Sequence, residues 1–597
     1  MDEIYLEIAI NPEEGSDTLE VSLETLIVFF TISYLNGSCI SIKLVLKPGI
    51  SVPFSIKIPD TDYRIVENSI LPSAIKDCIL PAMRVQSSTG FVCVAGLSAV
   101  LRQIVKNSLH VNPQQHSLLG FRDACLATCA ETSLWTRFCE VDVPIATKDY
   151  ISKLRHSESD YLVLPVDLAR FERHMEQPLK IHNIQKKRQD HAKLVRNIQG
   201  DKISYLSDEL ANLKVVNEET VLGHRFSEGH SLTLADVMLF PCFYIIFKSA
   251  GFELLSDYVP LVSKWFKRML NQRKIQDIVE LIVMESIHPG ITSCSLPHVP
   301  NQSLYKSDPR RYKPRARLFT RQEEIDASLK IISQMELDVD WSSIPLGADL
   351  EFDWSTVPAD AHPLGGNLPE SRLQRKVQQL ENLAKAVLKI AKPGYVIVDF
   401  CSGSGHLGIL LSHFLPLCHV VLLDNKDESL KRARDRVNRL SLQNISIFQC
   451  NLDYYIGKFD IGVSLHACGV ATDLVIQRCL EQEAVFICCP CCYGGVQSNH
   501  AVSYPRSRYF QNSDITMRDY LILGHSADQT HDERNKKTDQ GKLCMGIIDT
   551  DRCIQAREHG YEVYLSKLIP ETCTPKNNLL VGLPGKICKN NLQFCED

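Results

Sequence analysis

The sequence predicts an α/β protein whose C-terminal part, residues 371–590, folds as a doubly wound sheet. Three observations predict it. From residue 373 onward, short apolar runs alternate strictly with segments of helical period, the pattern that layers helices on both faces of a parallel sheet. A glycine-rich turn, Gly403-x-Gly405-x-x-Gly408, follows the first of these runs. A strand–helix–strand unit and a long helical region precede them, as expected of a 597-residue chain too large for a single core.

The elements follow in order. Residues 4–10 (IYLEIAI) predict a strand, 18–35 a buried helix and 39–47 (CISIKLVLK) a second strand, which together make a βαβ unit. A further helix is expected at 97–107. Residues 115–285 are helical in pattern. Within them His230-Ser231-Leu232-Thr233-Leu234-Ala235-Asp236 leads into the apolar run VMLFPCFYIIF, and Ser or Thr followed three residues on by Asp is a helix-start signal. Residues 183–203 are polar and basic, a solvated helix or loop. Residues 295–370 are rich in Pro, Asp, Ser and charge and read as a linker. Inside it Arg310, Arg311, Lys313, Arg315, Arg317 and Arg321 interleave with Tyr312 and Phe319. Basic side chains neutralise phosphates and aromatics stack on bases, so this stretch is either an RNA-contacting strip or a flexible basic linker.

In the last part, 373–391 is an amphipathic helix closed by Lys392-Pro393-Gly394. Strands are expected at 395–399, 419–424, 445–450, 459–465 and 484–489. Helices are expected from about His406, over 427–440, and from a Thr472 cap to about Glu483. Segments 560–565 and 579–583 complete a seven-stranded mixed sheet, and 500–540 reads as a polar, irregular insertion. The domains are therefore 1–110, 111–290, a linker over 291–370, and 371–590.

Hydrophobic content of 44% and charged content of 23% are those of a water-exposed globular protein, and a net charge of −6 excludes bulk polybasic character. There are 22 cysteines. The start, Met1-Asp2-Glu3, lacks a basic secretory n-region, so these are expected as reduced thiols in the cytoplasm or nucleus, the cytoplasm being the assignment. The longest apolar stretch, Thr25 to Leu35, is too short to span a bilayer, and no membrane partner is expected.

In a doubly wound sheet ligands bind at the carboxyl ends of the strands. The glycine pattern alone also fits a dinucleotide site, with Asp424 about twenty residues on. Asp399, at the end of the first strand, decides between them: a carboxylate there repels a diphosphate and suits a cationic sulfonium. The expected cofactor is S-adenosylmethionine. Ser402, Gly403 and Gly405 let the backbone approach it, Asp424 accepts the ribose hydroxyls with Asn425 beside it, and Asp453 reaches the adenine amino group. The alternative for Asp424 and Asp453 is an ordinary acid at a strand end.

Asp399-Phe400-Cys401-Ser402-Gly403-Ser404-Gly405-His406-Leu407-Gly408 resembles the first motif of Rossmann-like methyltransferases. So do Ser464-Leu465-His466-Ala467-Cys468-Gly469-Val470-Ala471-Thr472-Asp473 and Cys489-Pro490-Cys491-Cys492-Tyr493-Gly494 at later strand ends. A tRNA 2′-O-methyltransferase has a similar His-x-Cys-Gly-x-x-Thr-Asp and a Cys-Cys pair. The resemblance implies methyl transfer, with RNA as the acceptor class. Upstream, Ser231-x-Thr233-x-Ala235-Asp236 and Tyr258-Val259-Pro260 to Trp265-Phe266 resemble the all-α half of glutathione transferases. The N-terminal βαβ unit and Leu80-Pro81-Ala82 resemble that family's thioredoxin-like half. That half is degenerate. No Tyr, Ser or Cys after the first strand suits thiolate activation, and Val94-Ala95-Gly96-Leu97 replaces the Glu-Ser that grips glutathione. A protein partner through the helical domain is expected instead.

The candidates at the methyl acceptor are His466, Asp473 and Cys492. His466 is either a base or a histidine that shapes the pocket; Asp473 is either catalytic or a helix-start charge. Cys491 or Cys492 acts as nucleophile, packs, or joins Cys468 or His466 on zinc; the spacing lacks a second Cys-x-x-Cys to pair with the one at strand five, and no zinc is expected. Three functions stay open: a methyltransferase, a non-catalytic scaffold or cofactor sensor, and a glutathione-binding protein.

Overall fold

The computed structural model describes the chain except residues 13–15, 38–39, 58–61, 88–89, 157–160, 178–223, 285–292, 302–303, 305–320, 338–340, 367–368, 497, 531–534, 536 and 586–597. The basic segments at 183–203 and 310–320 lie outside the described residues. Two compact units form: Met1–Ile70 with Leu97–Pro309, and Leu71–Gly96 with Arg310–Asp597. Among the described residues no single helix is long and apolar enough to cross a membrane.

In the first unit, strands Asp2–Ile8 and Ile40–Leu46 pair in parallel across helix Leu23–Leu35, the expected βαβ unit. The predicted helix at 18–35 loses its first turn to a strand, Thr18–Val21, whose alternate residues Leu19 and Val21 are buried. Ser22 then caps the helix, its hydroxyl accepting from the Thr25 amide at 3.2 Å. The helical part is built around Leu234–Ala250, entered through a Thr233–Asp236 capping box. Asp236 is fully buried and accepts from the Ser227 amide at 2.7 Å and from the Trp265 indole at 2.8 Å. The two transferase-like motifs are thus one hydrogen-bonded cluster.

The second unit carries the sheet. Its elements are β1 (Ala82–Ser87), β2 (Gly90–Ala95), α1 (Glu370–Ile390), β3 (Val396–Phe400), α2 (His406–Phe414), β4 (His419–Asp424), α3 (Asp427–Arg439), β5 (Ile445–Gln449), β6 (Ile461–Leu465), α4 (Val470–Gln482), β7 (Val485–Cys489), α5 (Met517–Ala527), α6 (Lys537–Glu558), β8 (Tyr561–Lys567) and β9 (Asn578–Pro584). The strand order is β8-β9-β7-β6-β3-β4-β5-β2-β1. Strands β3 to β7 are mutually parallel, β9 runs antiparallel between β7 and β8, and this part is the expected mixed sheet. The β1–β2 hairpin, from the region read as thioredoxin-like, extends it through parallel pairing of β2 with β5.

Three local expectations change. The stretch read as a linker carries a helix, Gln322–Gln334, whose Ile325 and Ile332 are buried and whose Ser328 donates to Asp519 at 2.9 Å. Helix α4 begins at Val470 behind Gly469, and Thr472 turns its hydroxyl back to the Ala467 carbonyl at 2.7 Å instead of capping. The 500–540 insertion is not irregular throughout: α5 is held by a Thr516–Asp519 capping box, and α6, which starts at its end and runs on to Glu558, is buried almost all round. The polar appearance of α6 misleads because its charges are paired inside the unit, as with Arg552 to Asp549 at 2.9 Å.

Candidate active site

The carboxyl ends of β3 and β4 hold the glycine turn. Gly405 lies in the left-handed region (φ 72°), and a Cβ there would come 2.9 Å from Leu422 and 3.1 Å from Ala433. At Gly403 (φ 58°) the side-chain direction is open. Asp424 ties this turn to β4, one oxygen accepting from the Gly403 amide at 2.9 Å and the other from Lys426 at 2.8 Å. Asn425, half-buried, follows it. The Ser402 hydroxyl is buried without a hydrogen-bond partner among the described residues. Arg436, on α3, clamps the turn from behind by donating to the Ser404 carbonyl at 3.1 Å and to His406 at 3.2 Å.

Asp399 is only 2% exposed and accepts from the Gly408 amide at 2.9 Å. Burial raises its pKa to about 7, while that amide and Lys376 pull it down. Lys376, on α1, is in turn lowered to about 8 by burial, with Asp399 opposing. Asp399 therefore braces the turn and faces an ammonium group. It presents no bare charge to the crevice, and the electrostatic case against a diphosphate does not rest on it.

His466 follows β6 in the left-handed region (φ 72°). Its Nε2 meets Gln379 Oε1 at 2.9 Å, and Gln379 Nε2 donates to the Cys573 carbonyl at 3.1 Å. Since the amide oxygen only accepts, the proton belongs on Nε2 and the lone pair on Nδ1. His466 is exposed to solvent on one side; desolvation by the groups packed around it, and then Lys376, lower its pKa to about 4. Cys492, half-buried, shares the strand ends with Cys468 and Cys491. Asp453, after β5, pairs with His500. Asp473 stands apart: it is 1% exposed, and its carboxylate is taken by Arg552 at 2.8 and 2.7 Å and by the Tyr504 hydroxyl at 2.7 Å. Those contacts spend its charge inside the unit.

Sequence reasoning missed Lys376 and Gln379. Both lie on α1, and the signal was a polar stripe, Lys376, Gln379 and Asn382, at helical spacing beside the buried Leu380, Leu383, Ala384 and Val387.

Residues 374–499 match the methyltransferase domain family, and 189–273 match the glutathione S-transferase C-terminal domain family. The glutathione S-transferase C-terminal domain-containing protein homolog of Drosophila pseudoobscura pseudoobscura is 40% identical over 98% of this chain and 99% of its own. The chain belongs to the glutathione S-transferase C-terminal domain-containing protein family. The human member is 34% identical over 94% of this chain and 95% of its own. Among solved structures, the Pyrococcus abyssi tRNA (uracil-54, C5)-methyltransferase is 13% identical, with 34% and 37% of the two chains covered and a TM-score of 0.20. A Streptococcus thermophilus rRNA methylase is 13% identical over 35% and 95%, with a TM-score of 0.21.

This member of the family carries an S-adenosylmethionine-dependent methyltransferase domain on its second unit. The residues present fit that cofactor. The open side of Gly403, the buried Ser402 hydroxyl without a partner among the described residues, and the Asp424 carboxylate lie together at the carboxyl ends of β3 and β4, and they offer an adenosyl group hydrogen-bonding atoms beside an open glycine.

Proposed function

We propose that the chain methylates RNA, and that His466 and Lys376 handle the acceptor. The observation that carries this reading is the oriented imidazole of His466. Its Nε2 proton is held by Gln379, so Nδ1 is left to receive the hydrogen of an acceptor hydroxyl or amine at the strand ends. S-adenosylmethionine supplies an already activated methyl group, so positioning the acceptor in line carries much of the barrier. Lys376 lies beside the same cleft, within electrostatic reach of both Asp399 and His466. RNA is favoured by the resemblance of the His466–Asp473 and Cys491-Cys492 motifs to a tRNA 2′-O-methyltransferase. The exposed Lys431 and Arg432 on α3 add cationic groups for a phosphate backbone.

The first unit serves this reading as a protein-binding module. The buried Glu140 carboxylate accepts from the Ser98 amide at 3.0 Å, at the start of helix Leu97–Ser108. That is the helix end where the transferase family holds glutathione, and here the protein's own carboxylate occupies it.

The test is to incubate the full-length protein with methyl-labelled cofactor and separated pools of cellular RNA and protein. Label is expected in RNA. His466→Ala and Lys376→Met should each lower transfer by about 10²-fold or more while calorimetric uptake of the cofactor stays near wild type. Label in protein alone, or transfer undiminished in both variants, would refute the reading.

A further inference from the structure

Three thiols meet at the carboxyl ends of β6 and β7. Cys468 Sγ lies 3.3 Å from Cys491 Sγ, and Cys491 Sγ lies 3.5 Å from Cys492 Sγ. All three sulfurs fall within 4.8 Å of one another.

The backbone fixes this grouping. The Gly469 amide donates to the Cys492 carbonyl at 3.0 Å, joining the two loops directly. A Cβ on Gly469 would stand 2.8 Å from the Gly495 carbonyl oxygen, so the approach is as close as glycine permits. From the other side the Asp528 carboxylate accepts from the Tyr493 amide at 2.9 Å and the Gly494 amide at 2.8 Å. The sulfurs are therefore presented by braced loops from two strands.

Packing does not account for the arrangement. Cys488 and Cys489 are buried inside β7 and fill the core as small apolar groups. By contrast Cys468 is exposed and Cys491 and Cys492 are half-buried. Thiols are weak hydrogen-bonding groups, so three of them turned toward one another in a wet cleft gain little. Deprotonated, they form a donor set that suits a soft divalent ion. Zinc–sulfur bonds of about 2.3 Å put tetrahedral sulfurs about 3.8 Å apart, a few tenths beyond the present spacing. Zinc with three thiolates carries a net negative charge, and Lys376, Lys426 and Lys576 each lie within electrostatic reach of a cluster sulfur, with the Asp528 carboxylate, itself paired to Lys576 at 3.4 Å, opposing. Among the described residues no fourth His, Cys, Asp or Glu joins the set.

We propose that Cys468, Cys491 and Cys492 bind zinc as a three-thiolate site whose fourth position opens to solvent, where it takes water or an exogenous thiol. Three S–H protons leave to solvent as three Zn–S bonds form. The ion locks the β6 and β7 loops together beside His466. The site does not depend on the identity of the methyl acceptor.

The experiment uses full-length protein purified with reductant and without chelator. Mass spectrometry should find zinc stoichiometric with the chain. Co(II) replacing it should give thiolate-to-metal charge-transfer bands and the intense visible bands of a tetrahedral ion. Cys468→Ser, Cys491→Ser and Cys492→Ser should each weaken Co(II) binding by more than about tenfold. Cys129→Ser, in the other unit, should leave it unchanged, and retained calorimetric cofactor binding would show that the variants fold. The proposal is overturned by wild-type protein that gives no charge-transfer band, by a Cys468→Ser variant that keeps the band at full strength, or by zinc-free protein carrying a Cys468–Cys491 disulfide.

Discussion

A carboxylate without exposed surface persists only where its charge is met at close range. Asp473 has two such contacts to Arg552, at 2.8 and 2.7 Å, with the Tyr504 hydroxyl donating to one of its oxygens and Arg506 at 3.8 Å. Asp473→Asn should destabilise the second unit by about 3–5 kcal/mol, because Arg552 is left buried and only partly compensated by Asp549. A lowered thermal transition in the full-length protein checks this. Burial alone would raise the Asp473 pKa, but Arg552 outweighs it and leaves the group below its ordinary value. Its stabilising share is therefore complete above about pH 4 and is lost as pH falls through the depressed folded pKa. Acid unfolding of the variant should accordingly begin from a lower plateau and fall less steeply. Residue types at strand ends were legible: Ser402, Gly403, Gly405 and Asp424 gather where alternation places them. Asp473 was not, because its partner Arg552 lies on a helix that polar composition concealed. Lys376 and Gln379 were missed for the opposite reason, being polar positions on a helix read for its apolar face.

Elements were recognisable wherever periodicity and caps agreed. Strands β3 to β7 and helices α2 and α3 sit within a residue or two of expectation, since each buries a continuous apolar run or stripe. Helix α5 also had a readable signal, Thr516-x-x-Asp519, in a stretch passed over as irregular. At the element scale the first unit makes its own prediction. Helix Leu97–Ser108 has its Ser98 amide satisfied by Glu140, and Glu140 is only 5% exposed. An anion offered from solution must displace a carboxylate already desolvated and bonded. Immobilised glutathione should therefore not retain the full-length protein at millimolar ligand. Specific retention, eluted by free glutathione, would show that Glu140 yields its place and would restore the glutathione-binding alternative.

At the scale of the whole chain the compact units are not successive stretches of sequence. The segment Leu71–Gly96 belongs with the methyltransferase unit, and nothing in the alternation of β3 to β9 announces it, because β5 reads as an ordinary edge strand. The partner it needs lies far upstream. Strand β2 pairs with β5 through Phe448↔Cys93 and Gln449↔Val94. The Ile79 amide donates to the Tyr454 carbonyl at 2.9 Å, and the Ile456 amide donates to the Asp77 carbonyl at 2.8 Å. These contacts cover the backbone of β5 and of the turn that carries Asp453. A fragment beginning at Arg310 keeps every methyltransferase motif and loses all of them, exposing an unpaired parallel edge that invites association. It should elute as oligomers or precipitate, and should bind S-adenosylmethionine more weakly than the full chain. Adding residues 71–96 back as a separate segment should restore solubility, since the lost partner is local backbone. A monomeric Arg310–Asp597 fragment with full-chain affinity for the cofactor would instead show that the β1–β2 hairpin contributes nothing to the site.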